Sequence, residues 1–237
     1  MDTSQSEKLF TGSIPKFYEE YLVPLIFAPY AEDIAKRLAP RKPSCVLEIA
    51  AGTGVVTRCL AATLPGDVAI VATDLNQPML DMASAIGTSR PVKWRQADAL
   101  QLPFEKEQFD AVVCQFGVMF FPDRVKAFAE AHRVLKAGGV LLFSVWDRIE
   151  ENEFADTVTT ALESLFPKNP PRFLARMPHG YCDPVTIGHD LQRGGFVTAP
   201  HLDTVSARST ATSARIPALA YCQGTPLRNE IEVRVEN

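Results

Sequence analysis

No Cys-x-x-C pair occurs in the chain, and its five cysteines, at 45, 59, 114, 182 and 222, are odd in number. That pattern argues against a disulfide framework or a paired-cysteine zinc site and fits a reduced, cytoplasmic protein whose thiols pack as small hydrophobes. The amino terminus, MDTSQSEKLF, has neither the basic stretch nor the apolar core of a signal peptide. The longest strongly apolar run, residues 111–121, contains Gln115 and falls far short of the ~20 residues that cross a bilayer. Basic residues number 24 against 28 acids, a formal charge of −4, so no basic excess is present to gather along a nucleic-acid backbone. The expectation is a cytoplasmic protein with no nucleic-acid partner and no membrane span; its oligomeric state is not legible.

What is present is a chain of 237 residues, 46% apolar and 22% charged, enough to bury a large core, in one domain with a modest appendage or in two small domains. Short apolar, β-rich runs fall at 44–50, 68–74, 92–97, 109–114 and 139–146. Between them, 55–64, 78–86 and 124–135 space their apolar residues near the helical period. Almost continuously hydrophobic strands alternating with helices predict a mostly parallel sheet covered on both faces, the doubly wound α/β class. Residues 7–39 read as helical and carry Phe10, Phe17, Tyr18, Tyr21, Phe27 and Tyr30. We therefore expect a helical cap over 1–40 and the α/β domain over 41–237, with a segment 150–183 that turns irregular beyond a helix at 150–165. A helix starting at Asp183-Pro184 should stop at Gly194-Gly195. A strand is expected from Phe196 to about Ala207, then a helical insertion over about 209–230.

The most informative stretch is VLEIAAGTG, residues 46–54. A strand ends at Glu48-Ile49, and the small residues Ala50 to Gly54 turn the chain into a helix, leaving room for a ligand against the backbone. No lysine follows Gly54, which excludes a P-loop, and the dinucleotide pattern is poorly matched because Ala50 and Val55 stand where glycines belong. A bare strand-to-helix turn remains an alternative for the motif alone. Two further acids end the next strands, Asp74 in ATDLN and Asp98 in QADAL. A carboxylate at the first position can accept from both hydroxyls of a ribose, and one at the second from an adenine amino group. Acids at three successive strand ends argue against pyrophosphate and suit a ligand that carries positive charge.

On these residues the chain resembles the class I S-adenosylmethionine-dependent methyltransferases, in the small-molecule group that includes the ubiquinone/menaquinone C-methyltransferases and carries the type 11 methyltransferase domain. Glu48-Ile-Ala-Ala-Gly-Thr-Gly54 matches the family's first motif, FDAVVCQFGVMFFPD (109–123) its fourth, and RVLKAGGVLLFSVW (133–146) the segment after it. The resemblance covers about 40–150 and implies a Rossmann-like fold with S-adenosylmethionine as cofactor and S-adenosylhomocysteine as product. By that resemblance Ala50, Gly52 and Gly54 cradle the methionyl part, with Glu48 near its amino group. Asp74 holds the ribose, Leu75 and Met79 wall the adenine, Asp98 and Ala99 read its edge, and Gln115 and Phe116 flank the methyl. Phe120 and Phe121 either close this pocket or lie in the core, the latter role suiting Phe121. The N-terminal aromatics resemble cap helices that cover the cofactor, or else pack the cap onto the sheet. The family's sheet has sixth and seventh strands; here only 230–235 is left for the seventh, as a short strand or as a helix in a truncated chain.

Methyl transfer from a sulfonium is an in-line displacement, so the protein must align the acceptor and exclude water. A base is required only when the acceptor must lose a proton. The fourth motif reads Cys-Gln-Phe-Gly rather than the Asn/Asp-Pro-Pro-aromatic signature of amino-group methyltransferases, which points away from nucleic-acid and protein amide acceptors. Of four histidines, His179 lies in the segment that forms a substrate lid in relatives and is the base candidate, in competition with a merely solvated loop histidine. His132 borders a packed helix face, and His189 and His201 lack partners at metal-ligand spacing. The reading is methyl transfer to a small, hydrophobic or aromatic acceptor. A cofactor-binding protein without transferase activity and an NAD-dependent oxidoreductase are the alternatives.

Overall fold

The computed structural model describes residues 10–235. Its centre is a five-stranded sheet of β1 (Cys45–Ile49), β2 (Ala69–Asp74), β3 (Lys93–Gln96), β4 (Phe109–Gln115) and β5 (Leu135–Ser144), in the order β3-β2-β1-β4-β5 with every pairing parallel. Alternation along the strands divides the core in two. Val46, Ala111 and Val113 face α2 (Ala28–Leu38) and α3 (Val55–Thr63), packing with Ile34, Leu38 and Leu60. Leu47, Val112 and Cys114 face the other way, toward α5 (Arg124–Val134) and its Phe128. Between β2 and β3 runs α4 (Gln77–Ile86). Chain order reverses between β1 and β4, so the sheet's switch point opens at the carboxyl ends of those strands.

Local chemistry sets the helix ends. Asp123 accepts the Lys126 N–H at the start of α5. Asp183 accepts from Val185 and Thr186 ahead of α8 (Pro184–Arg193), which stops at Gly194 as expected. Over the site, α1 (Ile14–Phe17) leads into a ten-residue π-helical stretch, Tyr18–Phe27, with Pro24 inside it. Proline has no N–H to donate and its ring crowds the carbonyl four residues back, so a wider winding suits that position. Beyond the sheet come α6 (Glu153–Leu165) and the short α7 (Phe173–Arg176).

One expectation is corrected, and one open reading is decided. Residues 196–207 form no strand: the stretch is irregular, with Val197 93% exposed and Leu202 52% exposed. Pro200 interrupts it, and Asp203 pairs with Arg37 on α2 and with His201 rather than entering a ladder. Among the described residues, β5 therefore pairs with β4 alone. The alternating stretch at 230–235 is helical, closing α10 (Leu227–Val235), and the insertion expected over 209–230 is α9 (Arg215–Gly224) followed by α10. Ion pairs at helical spacing, Arg228–Glu232 and Arg234–Glu230, favour helix there over an unpartnered strand.

Candidate functional site

A cleft of about 2040 Å³ opens at the carboxyl ends of the strands and continues along the outer edge of β5. Its floor is the turn after β1. Ala50 (φ 54°), Gly52 (φ 57°) and Gly54 (φ 83°) all take left-handed backbone, a conformation glycine adopts without steric cost and alanine only when the surroundings impose it. The Ala51 N–H donates to Thr73 O at 2.8 Å and fastens the loop to β2. The Gly52 N–H donates to Asp74 Oδ2 at 2.8 Å, while Asp74 Oδ1 accepts from the Asn76 backbone, also at 2.8 Å. Asp74 is buried on the cleft wall, and that burial raises its pKa.

Of the residues expected to bind a cofactor, Ala50, Gly52, Asp74, Leu75, Met79, Asp98, Ala99, Gln115 and Phe116 all line the cleft, as does His179. Asp98 is exposed, its Oδ1 accepting the Leu100 N–H at 2.8 Å, and Ala99 beside it is buried. Glu48 and Gly54 stand off the wall. Glu48 points from β1 under the loop, where its Oε2 accepts the Thr57 hydroxyl at 2.6 Å and burial pushes its pKa up to about 8. Gly54 makes a packing contact, since a β-carbon there would come 3.0 Å from the Trp94 ring and 3.1 Å from Ala83. Phe120 and Phe121 both lie half-buried on the cleft wall, so Phe121 is not confined to the core.

Past β4, Phe116 also takes left-handed backbone (φ 51°). Its ring stacks on Trp146 with centroids 3.8 Å apart, and Tyr30 meets both rings edge-on. Gly117 lies so close to the loop that a β-carbon would sit 2.6 Å from Ala50 Cβ. From the π-helical stretch, Tyr18 reaches over the floor with its hydroxyl 3.7 Å from where a Gly52 β-carbon would be. Burial, then the nearby Asp74, raises the pKa of that phenol. Sequence reasoning named no role at the site for Trp146 or Gly117 and placed Tyr18 only among cap aromatics. The signals were a tryptophan just past a strand and the Phe-Gly pair after Gln115. Three wall residues carry buried oxygens without a protein partner, Asn76 Oδ1, Gln115 Oε1 and Ser144 Oγ, as expected of groups that face a polar ligand.

Of the other histidines, His132, exposed and edge-on to Phe196, and His201, paired with Asp203, line the extension of the cleft along β5, while His189 is exposed and off the wall. Among the described residues no group of three or more His, Cys, Asp or Glu stands together as a metal set, and no helix is long and apolar enough to cross a membrane.

This fold, with its glycine loop and acid-lined strand ends, is similar to that of the class I S-adenosylmethionine-dependent methyltransferases. Residues 47–143 match the family model described as a methyltransferase domain. Relatives include a demethylmenaquinone methyltransferase of Thermus thermophilus, 40% identical over 47% of this chain and 50% of that protein. A ubiquinone/menaquinone biosynthesis C-methyltransferase of Marinomonas is 38% identical over 43% of this chain and 42% of its own length. The chain thus spans about half the length of the curated relatives it matches. Among solved structures, a candidate methyltransferase from Bacillus halodurans superposes with a TM-score of 0.51 at 27% identity, covering 69% of this chain and 68% of that one. An S-adenosylmethionine-dependent methyltransferase from Thermotoga maritima shares the fold, with a TM-score of 0.56 at 22% identity over 77% of this chain and 79% of its own.

Proposed function

We propose that this protein transfers the methyl group of S-adenosylmethionine to a small, apolar or aromatic acceptor. The observation that carries the reading is the pairing of Asp74 with the Gly52 N–H between the ends of β2 and β1, beside the switch point, which supports a buried carboxylate as the partner of a ligand's diol. The residues suit this cofactor chemically. Asp74 accepts from the ribose hydroxyls, Leu75 and buried Met79 give the adenine an apolar wall, and the loop from Ala50 to Gly52 leaves backbone free for the methionyl part. When bound, S-adenosylmethionine supplies an electrophilic methyl on a sulfonium whose departure as a neutral thioether requires no acid. The chain's own task is then to align the acceptor and keep water out, and the stacked Phe116–Trp146 pair gives a flat, dry wall for that purpose. Support for an acceptor of this class also comes from the names of the relatives, a demethylmenaquinone methyltransferase and a ubiquinone/menaquinone biosynthesis C-methyltransferase.

Calorimetric titration with S-adenosylhomocysteine and, separately, with NADH tests the reading: binding of the first is expected, and binding of NADH alone overturns it. Asp74→Ala should weaken S-adenosylhomocysteine by about 1–3 kcal/mol, the cost of removing a hydrogen-bonded charged partner. Unchanged affinity would mean that the ribose lies elsewhere. Tight binding with no turnover across a broad acceptor screen would leave a cofactor-binding protein instead.

A further inference from the structure

One imidazole is built into the cleft wall beyond the glycine loop. His179 lies in the turn after α7, with its backbone N–H donating to Leu174 O at 3.1 Å. The chain can turn there because residue 180 is glycine, since a β-carbon at Gly180 would stand 2.1 Å from Arg176 O. Its ring Nδ1 is 2.7 Å from Asp147 O, in the segment that follows β5. A carbonyl oxygen only accepts, so Nδ1 carries the hydrogen and Nε2 carries the lone pair. The side chain is 8% exposed, lines the cleft, and has its ring centroid 6.1 Å from Trp146, the residue stacked on Phe116. The charged groups that face it are the carboxylates of Asp147 and Glu150; both favour the imidazolium, yet burial outweighs them and holds the pKa below its ordinary 6.5.

From this geometry we propose that His179 Nε2 is the general base of the transfer, taking the proton from a ring hydroxyl of a planar aromatic acceptor held against Trp146. The inference rests on the methyltransferase reading above. A fixed lone pair on a neutral ring needs a donor opposite it, and the aromatic wall selects a flat molecule to bring one. An ammonium acceptor would set a second cation beside the sulfonium, which costs Coulomb energy, whereas a hydroxyl arrives neutral and its ionisation is favoured by that positive charge. The step balances: the O–H bond breaks and its proton goes to Nε2. The electron pair left on oxygen forms the bond to the methyl carbon, and the old carbon–sulfur pair stays on sulfur. The imidazolium then returns its proton to water.

Three measurements test this. Histidine ¹⁵N spectra of the wild-type protein should show His179 as the neutral Nδ1–H form from pH 7 to 8; an Nε2–H form or an imidazolium there overturns the proposal. Turnover of 4-methylphenol, un-ionised at neutral pH, should fall about 10²–10⁴-fold in His179→Gln, the usual scale for a lost base. Turnover of 4-nitrophenol at a pH where it is already ionised should change by less than about threefold, since no proton remains to be taken. S-adenosylhomocysteine affinity should stay within about twofold in the same variant, so that a folding defect is recognised. Equal losses on the two phenols, or turnover of neither by a wild-type protein that binds S-adenosylhomocysteine, overturns the base assignment and leaves the cofactor reading intact. Failure to bind S-adenosylhomocysteine would instead remove the reading beneath it.

Discussion

Glu48 and Asp74 are both acids at strand ends, yet their positions divide them. Asp74 ends β2 and lines the cleft, whereas Glu48 sits one residue short of the end of β1 and points beneath the loop onto Thr57. With its pKa raised from 4.5 to about 8, Glu48 stays protonated in the folded chain at a pH where the unfolded chain has released that proton. Its contribution to stability is therefore fully present below pH 4.5 and is lost as the pH rises through about 8. Urea unfolding at pH 5 and pH 9 should show the wild type losing about 1–3 kcal/mol more than Glu48→Gln between the two, the scale of ionising an uncompensated buried carboxyl. An identical loss in both would place the titrating group elsewhere. The acid–glycine motif was legible because its residues adjoin in sequence; which acid lines the cleft was not, because strand alternation and the exact end of β1 decide it.

The π-helical stretch and the glycine loop are joined by Arg58 on α3. Its guanidinium donates to Thr53 O at 2.7 Å and to Glu19 Oε1 at 2.8 Å, with both charged side chains about a quarter exposed. Glu19 Oε2 is buried without a partner, so removing Arg58 leaves that carboxylate poorly compensated. Arg58→Met should loosen the cap, speeding amide exchange over residues 14–27 and weakening S-adenosylhomocysteine by about 1 kcal/mol. Exchange rates equal to the wild type would show that the aromatic contacts of Tyr18 and Phe27 hold the cap without it. The helical character of this flank could be read from its composition. Its winding could not, because the register of Tyr18 over Gly52 depends on how the stretch docks against the sheet.

At the scale of the whole molecule, the β5 edge of the sheet takes no further strand among the described residues. The stretch between α8 and α9 passes beside β5 without pairing to it, tied to α2 through Arg37 and Asp203 and otherwise largely exposed. Brief trypsin treatment should cut first after Arg208, in the exposed part of that stretch, while the helices around it stay uncut. Arg37→Ala should speed the cut, by removing the ion pair that fastens the stretch to α2. Mass spectrometry of the first fragments settles both, and a first cut inside a helix would contradict the arrangement.

The sequence by itself determined the parallel sheet, the glycine turn, and the acids at the ends of β2 and β3, because each is written in adjacent residues whose period and turn chemistry are local. It misread 196–207, since alternating Val, Thr and Leu favour a strand only when a sheet edge takes them up, and here the exposed valines find none. Only the tertiary structure decided that Trp146, from beyond β5, stacks on Phe116, just past β4, and that the backbone of Asp147 sets the tautomer of His179 from a distant turn. Those contacts join segments far apart in the chain, and no local pattern encodes the docking that brings them together.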